Sequence, residues 1–212
     1  MYRAVIFDLD GTIIDSEPLH MQSWNMTLRP HNINYATGEY LRFVGQGDLE
    51  MARTAIKENN LPEDPAKLVK TKIEFYRELV KDVHLREGVL ELIEELFAHK
   101  LKLGIASSEI TDVVNDILIH KRIDRYFSAV IGSDKVKKKK PDPEIYRKAL
   151  DALGVKAEEA VAIEDSESGA RAAQSAKIDV IAVPNSFTKS SDFSYAKFVA
   201  HDFKAIRSRL IT

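Results

Sequence analysis

From Gly88 onward, short β-branched runs alternate with helical apolar faces, and this alternation limits the possible folds more than any other feature of the chain. Val89, Leu92, Ile93, Leu96 and Phe97 recur at helical spacing, Leu101–Ala106 reads as a strand, and Val113, Val114, Ile117 and Leu118 mark the next helix. Ala129–Gly132 then reads as a strand, Glu144–Leu153 as a helix, Ala160–Ile163 as a strand, Ser168–Ala176 as a helix and Val180–Val183 as a strand. Phe198–Ala200 is a last short strand before a helix from about Phe203. Such continuous apolar strands are buried on both faces, and helices between them make them parallel. The fold class is therefore α/β, a doubly wound parallel sheet with helices on both faces.

One more strand precedes this series. Val5-Ile6-Phe7 runs into Asp8-Leu9-Asp10-Gly11, a buried strand that breaks into a turn. Between it and the alternating region the pattern is helical throughout. Met21, Trp24 and Leu28 share a face, with Pro18 near its start and Pro30 as a stop. Gly45-Gln46-Gly47 is a break, Leu49, Ala52 and Ile56 mark a second face, and Leu68, Val69, Ile73, Tyr76, Leu79 and Val80 a third. Residues 17–84 are thus expected to form a small all-helical domain inserted into an α/β core of 1–16 and 85–212.

Lys and Arg number 31 against 33 Asp and Glu, a formal net charge of −2, so overall charge gives no reason to expect nucleic acid or membrane as a partner. There are no cysteines, which excludes disulfides, thiolate metal sites and cysteine catalysis. Met1 runs directly into strand-like residues and no apolar run is long enough to span a bilayer, so a soluble, cytoplasmic protein without a secretory leader is expected.

The polar residues at strand ends carry the chemistry. Alternation lets Asp8 and Asp10 project to one side while Phe7 and Leu9 pack on the other, and two carboxylates that close favour a cation between them or a proton on one. The strand through Ala106 ends in Ser107-Ser108, that at Val130-Ile131 leads to Lys137–Lys140 and Pro-Asp-Pro, and that at Ile163 ends in Glu164-Asp165-Ser166. Taken singly, a serine there caps a helix, the acids complement a helix dipole, and the lysine run is a solvated loop. Parallel strands, however, bring these ends to one edge. Four acids suit Mg²⁺, and a hydroxyl and an ammonium suit the oxygens of a transferring phosphoryl group, so metal-assisted phosphoryl transfer is the reaction class that uses every member.

In these residues the chain resembles the haloacid dehalogenase superfamily, in the branch with a helical cap that includes β-phosphoglucomutase and many sugar-phosphate phosphatases. Asp8-Leu9-Asp10-Gly11-Thr12 matches its first motif, Ser107 its second, Lys140-Pro141-Asp142-Pro143 its third, and Glu164-Asp165-Ser166-x-x-Gly169 its fourth. The resemblance implies Asp8 as nucleophile and Asp10 as general acid and base. It implies Mg²⁺ held by Asp8, the Asp10 carbonyl and Asp165 with Glu164 close by, and a phosphoryl group held by Ser107 and Lys140, with Ser108 beside them. The helical insert would be the cap, hinged near Asp15–Pro18 and Val83–Gly88, with His20, Trp24, Gly45 and Gln46 as substrate-side residues.

Where the mutase carries a cap arginine for a second phosphate, this chain reads Gly45-Gln46-Gly47-Asp48, and neither Arg42 nor Arg53 matches. Without that arginine the resemblance implies a phosphatase of small phosphorylated metabolites, a sugar phosphate first among them, and it implies a monomer. A phosphosugar mutase is the first alternative and a non-catalytic phospho-ligand binding protein the second. A cap lysine could also form a Schiff base in a phosphonate hydrolase, but Lys57, Lys67, Lys70 and Lys72 lie in polar helical stretches and read as a solvated face.

Overall fold

The computed structural model describes residues 2–44 and 47–211. The backbone divides into two compact units, Met1–Asp15 with His84–Thr212, and Ser16–Val83. The first contains β1, Ala4–Phe7, whose four side chains are all buried.

The second unit is helical. It comprises α1 (Glu17–Leu28), the single turn α2 (Thr37–Tyr40), α3 (Asp48–Asn59) and α4 (Pro65–Leu79). Helix α4 starts where the Asp64 carboxylate accepts the N–H groups of Ala66 and Lys67 while Pro65, lacking an N–H, takes the first helical position. Two of the apolar faces differ from the sequence pattern. In α3 the buried residues are Met51, Ala52 and Ala55, and Leu49, in the first turn ahead of that face, is 45% exposed. In α4 the buried stripe is Leu68, Lys72 and Tyr76, and Lys72 is 1% exposed. The expectation that Lys72 lies on a solvated face is therefore corrected. Its Nζ lies 3.0 Å from Asp48 Oδ2 and 2.9 Å from His20 Nδ1, partners on other helices that helical periodicity does not reveal.

The α/β unit continues through α5 (Val89–Ala98), β2 (Lys102–Ala106), α6 (Thr111–His120), β3 (Phe127–Ile131), α7 (Glu144–Leu153), β4 (Ala160–Glu164), α8 (Glu167–Ser175), β5 (Asp179–Ala182), β6 (Phe198–Val199) and α9 (Phe203–Leu210). The six strands form one sheet in the order β3-β2-β1-β4-β5-β6, and every pairing is parallel. The chain lays β2 and β3 on one side of β1, then returns to lay β4, β5 and β6 on the other. In such sheets the ligand crevice opens at the carboxyl ends of the strands beside that reversal, here at the end of β1.

Val5, Ile6 and Phe7 are fully buried, and each contributes roughly 2 kcal/mol by leaving water. That anchorage holds the acid-bearing turn that follows. Helix α5 buries Val89, Leu92, Ile93 and Leu96 as the sequence predicts, but Phe97 is 49% exposed, packed edge-on against Tyr126. Strand β3 begins two residues before the expected Ala129 and stops before Gly132, where a Cβ would overlap the Thr111 amide.

Candidate active site

The strand register explains which side chains meet. Phe7 stands opposite Ile105 of β2 and Ile163 of β4, so one residue further on Asp8 is level with Ala106 and Glu164, the last residues of those strands. Lys140 closes over this level. Its Nζ donates to Asp8 Oδ1 at 2.6 Å, to Glu164 Oε1 at 2.6 Å and to the Ala106 carbonyl at 2.9 Å. An ammonium has three hydrogens, and each has an acceptor at the end of a different strand.

Burial works to lower the Lys140 pKa, but Asp8 and Glu164 more than offset it and hold the group above its usual range. Lys140 is a cation here. For Asp8 burial is the largest influence and raises the carboxyl well above the usual carboxylate range; Lys140 opposes this, while Glu164 and Asp10 add to it. One ammonium does not balance the acids gathered around it.

Glu164 is bonded at both oxygens. Oε1 also accepts the Tyr146 hydroxyl at 2.6 Å, and Oε2 accepts the Ser166 hydroxyl at 3.1 Å. Burial, then Glu164 and Asp8, push the Tyr146 phenol well up, so it stays a donor. Gly169 in the first turn of α8 lies so close that a Cβ there would overlap the Glu164 carboxylate, while its N–H donates to Ser166 Oγ. The fourth-motif glycine thus makes room for the acid that holds Lys140.

The other acid, Asp165, has different partners. Its Oδ2 accepts from Asn185 Nδ2 at 2.7 Å, and its Oδ1 lies 3.4 Å from the Thr12 hydroxyl. Gly11 has φ +75°, and a Cβ on it would meet the Asp165 carboxylate and lie 2.8 Å from Asn185 Nδ2, so this position requires glycine twice over. Arg86 fastens the same turn, donating through Nη1 to the Gly11 carbonyl at 2.6 Å and to Val183 O at 2.9 Å, and through Nη2 to Pro184 O at 3.1 Å.

Asp8, Glu164 and Asp165 are buried and can each place a carboxylate oxygen within 4.8 Å of the others. All-oxygen donors and surplus negative charge suit a hard divalent cation, so the residues present fit Mg²⁺.

The structure thus brings Asp8, Lys140, Glu164 and Asp165 together. Ser107 is buried at the end of β2 with its Oγ accepting the Glu109 N–H at 3.0 Å, and Ser108 beside it is exposed. Asp10 follows on the same turn, bridged to Ile14. In the helical unit, Trp24 is 1% exposed with its indole N–H on Asp48 Oδ1 at 3.1 Å, and His20 stacks on Tyr76 at 4.1 Å. These two therefore converge on the Lys72–Asp48 pair. Gly45 and Gln46 lie outside the described residues. Sequence reasoning missed Tyr146, Arg86 and Asn185; Asn185 had a signal, since it is a polar residue just past a strand, as Ser107 and Asp165 are.

Residues 5–183 match the haloacid dehalogenase-like hydrolase family. The chain belongs to that family and is an enzyme of the phosphoric monoester hydrolase class. Among similar proteins, CbbY of Rhodobacter capsulatus is 31% identical over 220 residues, covering 99% of this chain and 97% of that one. A phosphorylated carbohydrates phosphatase of Thermotoga maritima is 33% identical, covering 84% of this chain and 83% of that one. The crystal structure of a CbbY variant from Rhodobacter sphaeroides in complex with xylulose-(1,5)bisphosphate superposes with a TM-score of 0.85 at 28% identity, covering 96% of this chain and 95% of that one.

Proposed function

We propose that this chain is a Mg²⁺-dependent phosphatase of small phosphomonoesters, sugar phosphates first among them, working through an aspartyl phosphate on Asp8. The observation that carries the reading is the Lys140 ammonium held between Asp8 and Glu164 at the carboxyl end of β1, in a nest of acids it does not neutralise.

In this reading an Asp8 carboxylate oxygen attacks phosphorus, and the bond from phosphorus to the leaving oxygen breaks. Asp10 gives that oxygen its proton, then takes one from the water that attacks the aspartyl phosphate, which restores Asp8 and frees inorganic phosphate. Ser107 and Lys140 hold the phosphoryl oxygens. Asp8, the Asp10 carbonyl and Asp165 are the groups to hold Mg²⁺, with Glu164 beside them fixing Lys140. The ion supplies positive charge that favours the ionised nucleophile and offsets its repulsion from the substrate.

The all-helical unit takes the part of the cap that selects the leaving group. The substrate class rests on the activity of the Thermotoga relative and on the bisphosphate sugar bound by the CbbY structure. A monophosphate is the better fit here, because Arg42 donates twice to Glu58 and Arg53 pairs with Glu50, leaving both arginines engaged by neighbouring acids. We read the protein as a cytoplasmic monomer.

A panel of sugar phosphates, phosphoglycolate, nucleotides and p-nitrophenyl phosphate, assayed with and without Mg²⁺, tests this. The expected outcome is phosphate release that needs Mg²⁺, is greatest for a sugar phosphate and is lost in Asp8→Asn. Conversion of β-glucose 1-phosphate to glucose 6-phosphate with no phosphate release would overturn it in favour of a mutase.

A further inference from the structure

We infer that Asn185, in the loop after β5, is a positioning residue for the cation site: its carboxamide sets Asp165 and the Gly11 turn relative to each other and thereby fixes Mg²⁺ affinity. The orientation of the amide follows from its partners. Oδ1 accepts the backbone N–H groups of Phe187 at 2.8 Å and Thr188 at 3.1 Å, so Nδ2 is the donor end. Its two hydrogens go to Asp165 Oδ2 at 2.7 Å and to the Gly11 carbonyl at 3.3 Å. Every side-chain hydrogen-bonding group of Asn185 facing the site is therefore engaged, and the amide cannot turn without losing four bonds.

The loop that carries it is itself fixed. The Asn185 N–H donates to Thr188 Oγ1 at 3.1 Å, and Arg86 binds the carbonyls of Val183 and Pro184 together with that of Gly11. Asp165 and Gly11 are 154 positions apart in the sequence, and the Asn185 side chain bonds both. A neutral donor suits this role, because it orients one carboxylate oxygen without cancelling the charge that attracts the cation. Removing the partner that orients a ligating carboxylate weakens metal binding about ten- to a hundredfold.

The inference rests on the phosphatase reading in taking Mg²⁺ as the ion. The test is calorimetric titration of Mg²⁺ into the full-length protein, with circular dichroism as the check on folding. Asn185→Ser keeps an oxygen for the Phe187 and Thr188 amides but cannot reach Asp165. Asn185→Ala removes donor and acceptor together. Thr188→Ala loosens the loop and leaves the carboxamide. Both Asn185 variants are expected to raise the Mg²⁺ dissociation constant about ten- to a hundredfold, with kcat recovering at high Mg²⁺, while Thr188→Ala stays within roughly twofold of the parent.

Asn185 variants that bind Mg²⁺ as the parent does, or a Thr188→Ala that weakens binding as much as they do, would overturn the inference and leave Asn185 a loop anchor. So would a parent protein that binds no Mg²⁺. A parent that binds Mg²⁺ and releases no phosphate from any ester overturns the phosphatase reading alone, and the ratio of dissociation constants still decides the role of Asn185.

Discussion

Lys140 brings together three residues that share one level of the sheet, and its own hold depends on Glu164. Tyr146 is the second donor on the same Glu164 oxygen. In Tyr146→Phe that buried carboxylate loses a charge-assisted hydrogen bond while the ring still fills its space. The expected cost is about 2 kcal/mol of unfolding free energy by urea titration; a change under about 0.5 kcal/mol would contradict the arrangement. Asp8, Glu164 and Asp165 were legible in the sequence because each is an acid at the end of an apolar strand run, whereas Lys140, in the loop well past β3, stood out through its match to the third motif. Tyr146 was not, since on α7 it continues the buried face of Ile145 and Ala149 and its hydroxyl partner lies 18 residues away. Arg86 was hidden for another reason: its acceptors are all backbone carbonyls, which leave no mark on composition.

Among the elements, α4 departs furthest from its sequence pattern. Lys72 takes a core position between Leu68 and Tyr76, and the carboxylate that makes this tolerable belongs to Asp48 at the start of α3. Lys72→Met should destabilise the protein by about 2–3 kcal/mol by leaving Asp48 without its cation, and the double variant Lys72→Met with Asp48→Asn should recover part of that. A double variant less stable than Lys72→Met would contradict the pairing.

The same pair sets a pH dependence. Burial works to raise the Asp48 carboxyl, but Lys72 and His20 lower it below its usual range in the folded state. A folded pKa below the unfolded value gives stability that is present above about pH 4 and is lost as pH falls through the folded value. The gap in melting temperature between the parent and Asp48→Asn should therefore be widest near neutrality and narrow below about pH 4. A gap independent of pH would contradict it.

For the whole molecule, the order β3-β2-β1-β4-β5-β6 makes β1 central and places the acids of the first and fourth motifs on neighbouring strands. The alternation of runs carried the α/β class. It did not carry the register that sets Asp8 level with Ala106 and Glu164, because strand ends drift by a residue or two in any periodic pattern while pairing depends on contacts far apart in sequence. The phosphatase reading of this edge of the sheet depends on Asp8 taking up the phosphoryl group. The decisive experiment is the intact mass, followed by peptide mapping, of Asp10→Asn protein quenched in acid after mixing with Mg²⁺ and acetyl phosphate, whose leaving group needs little protonation. One added phosphoryl group on Asp8 is the expected result; a phosphoryl group on any other residue, or none while the parent protein turns the same substrate over, would contradict it.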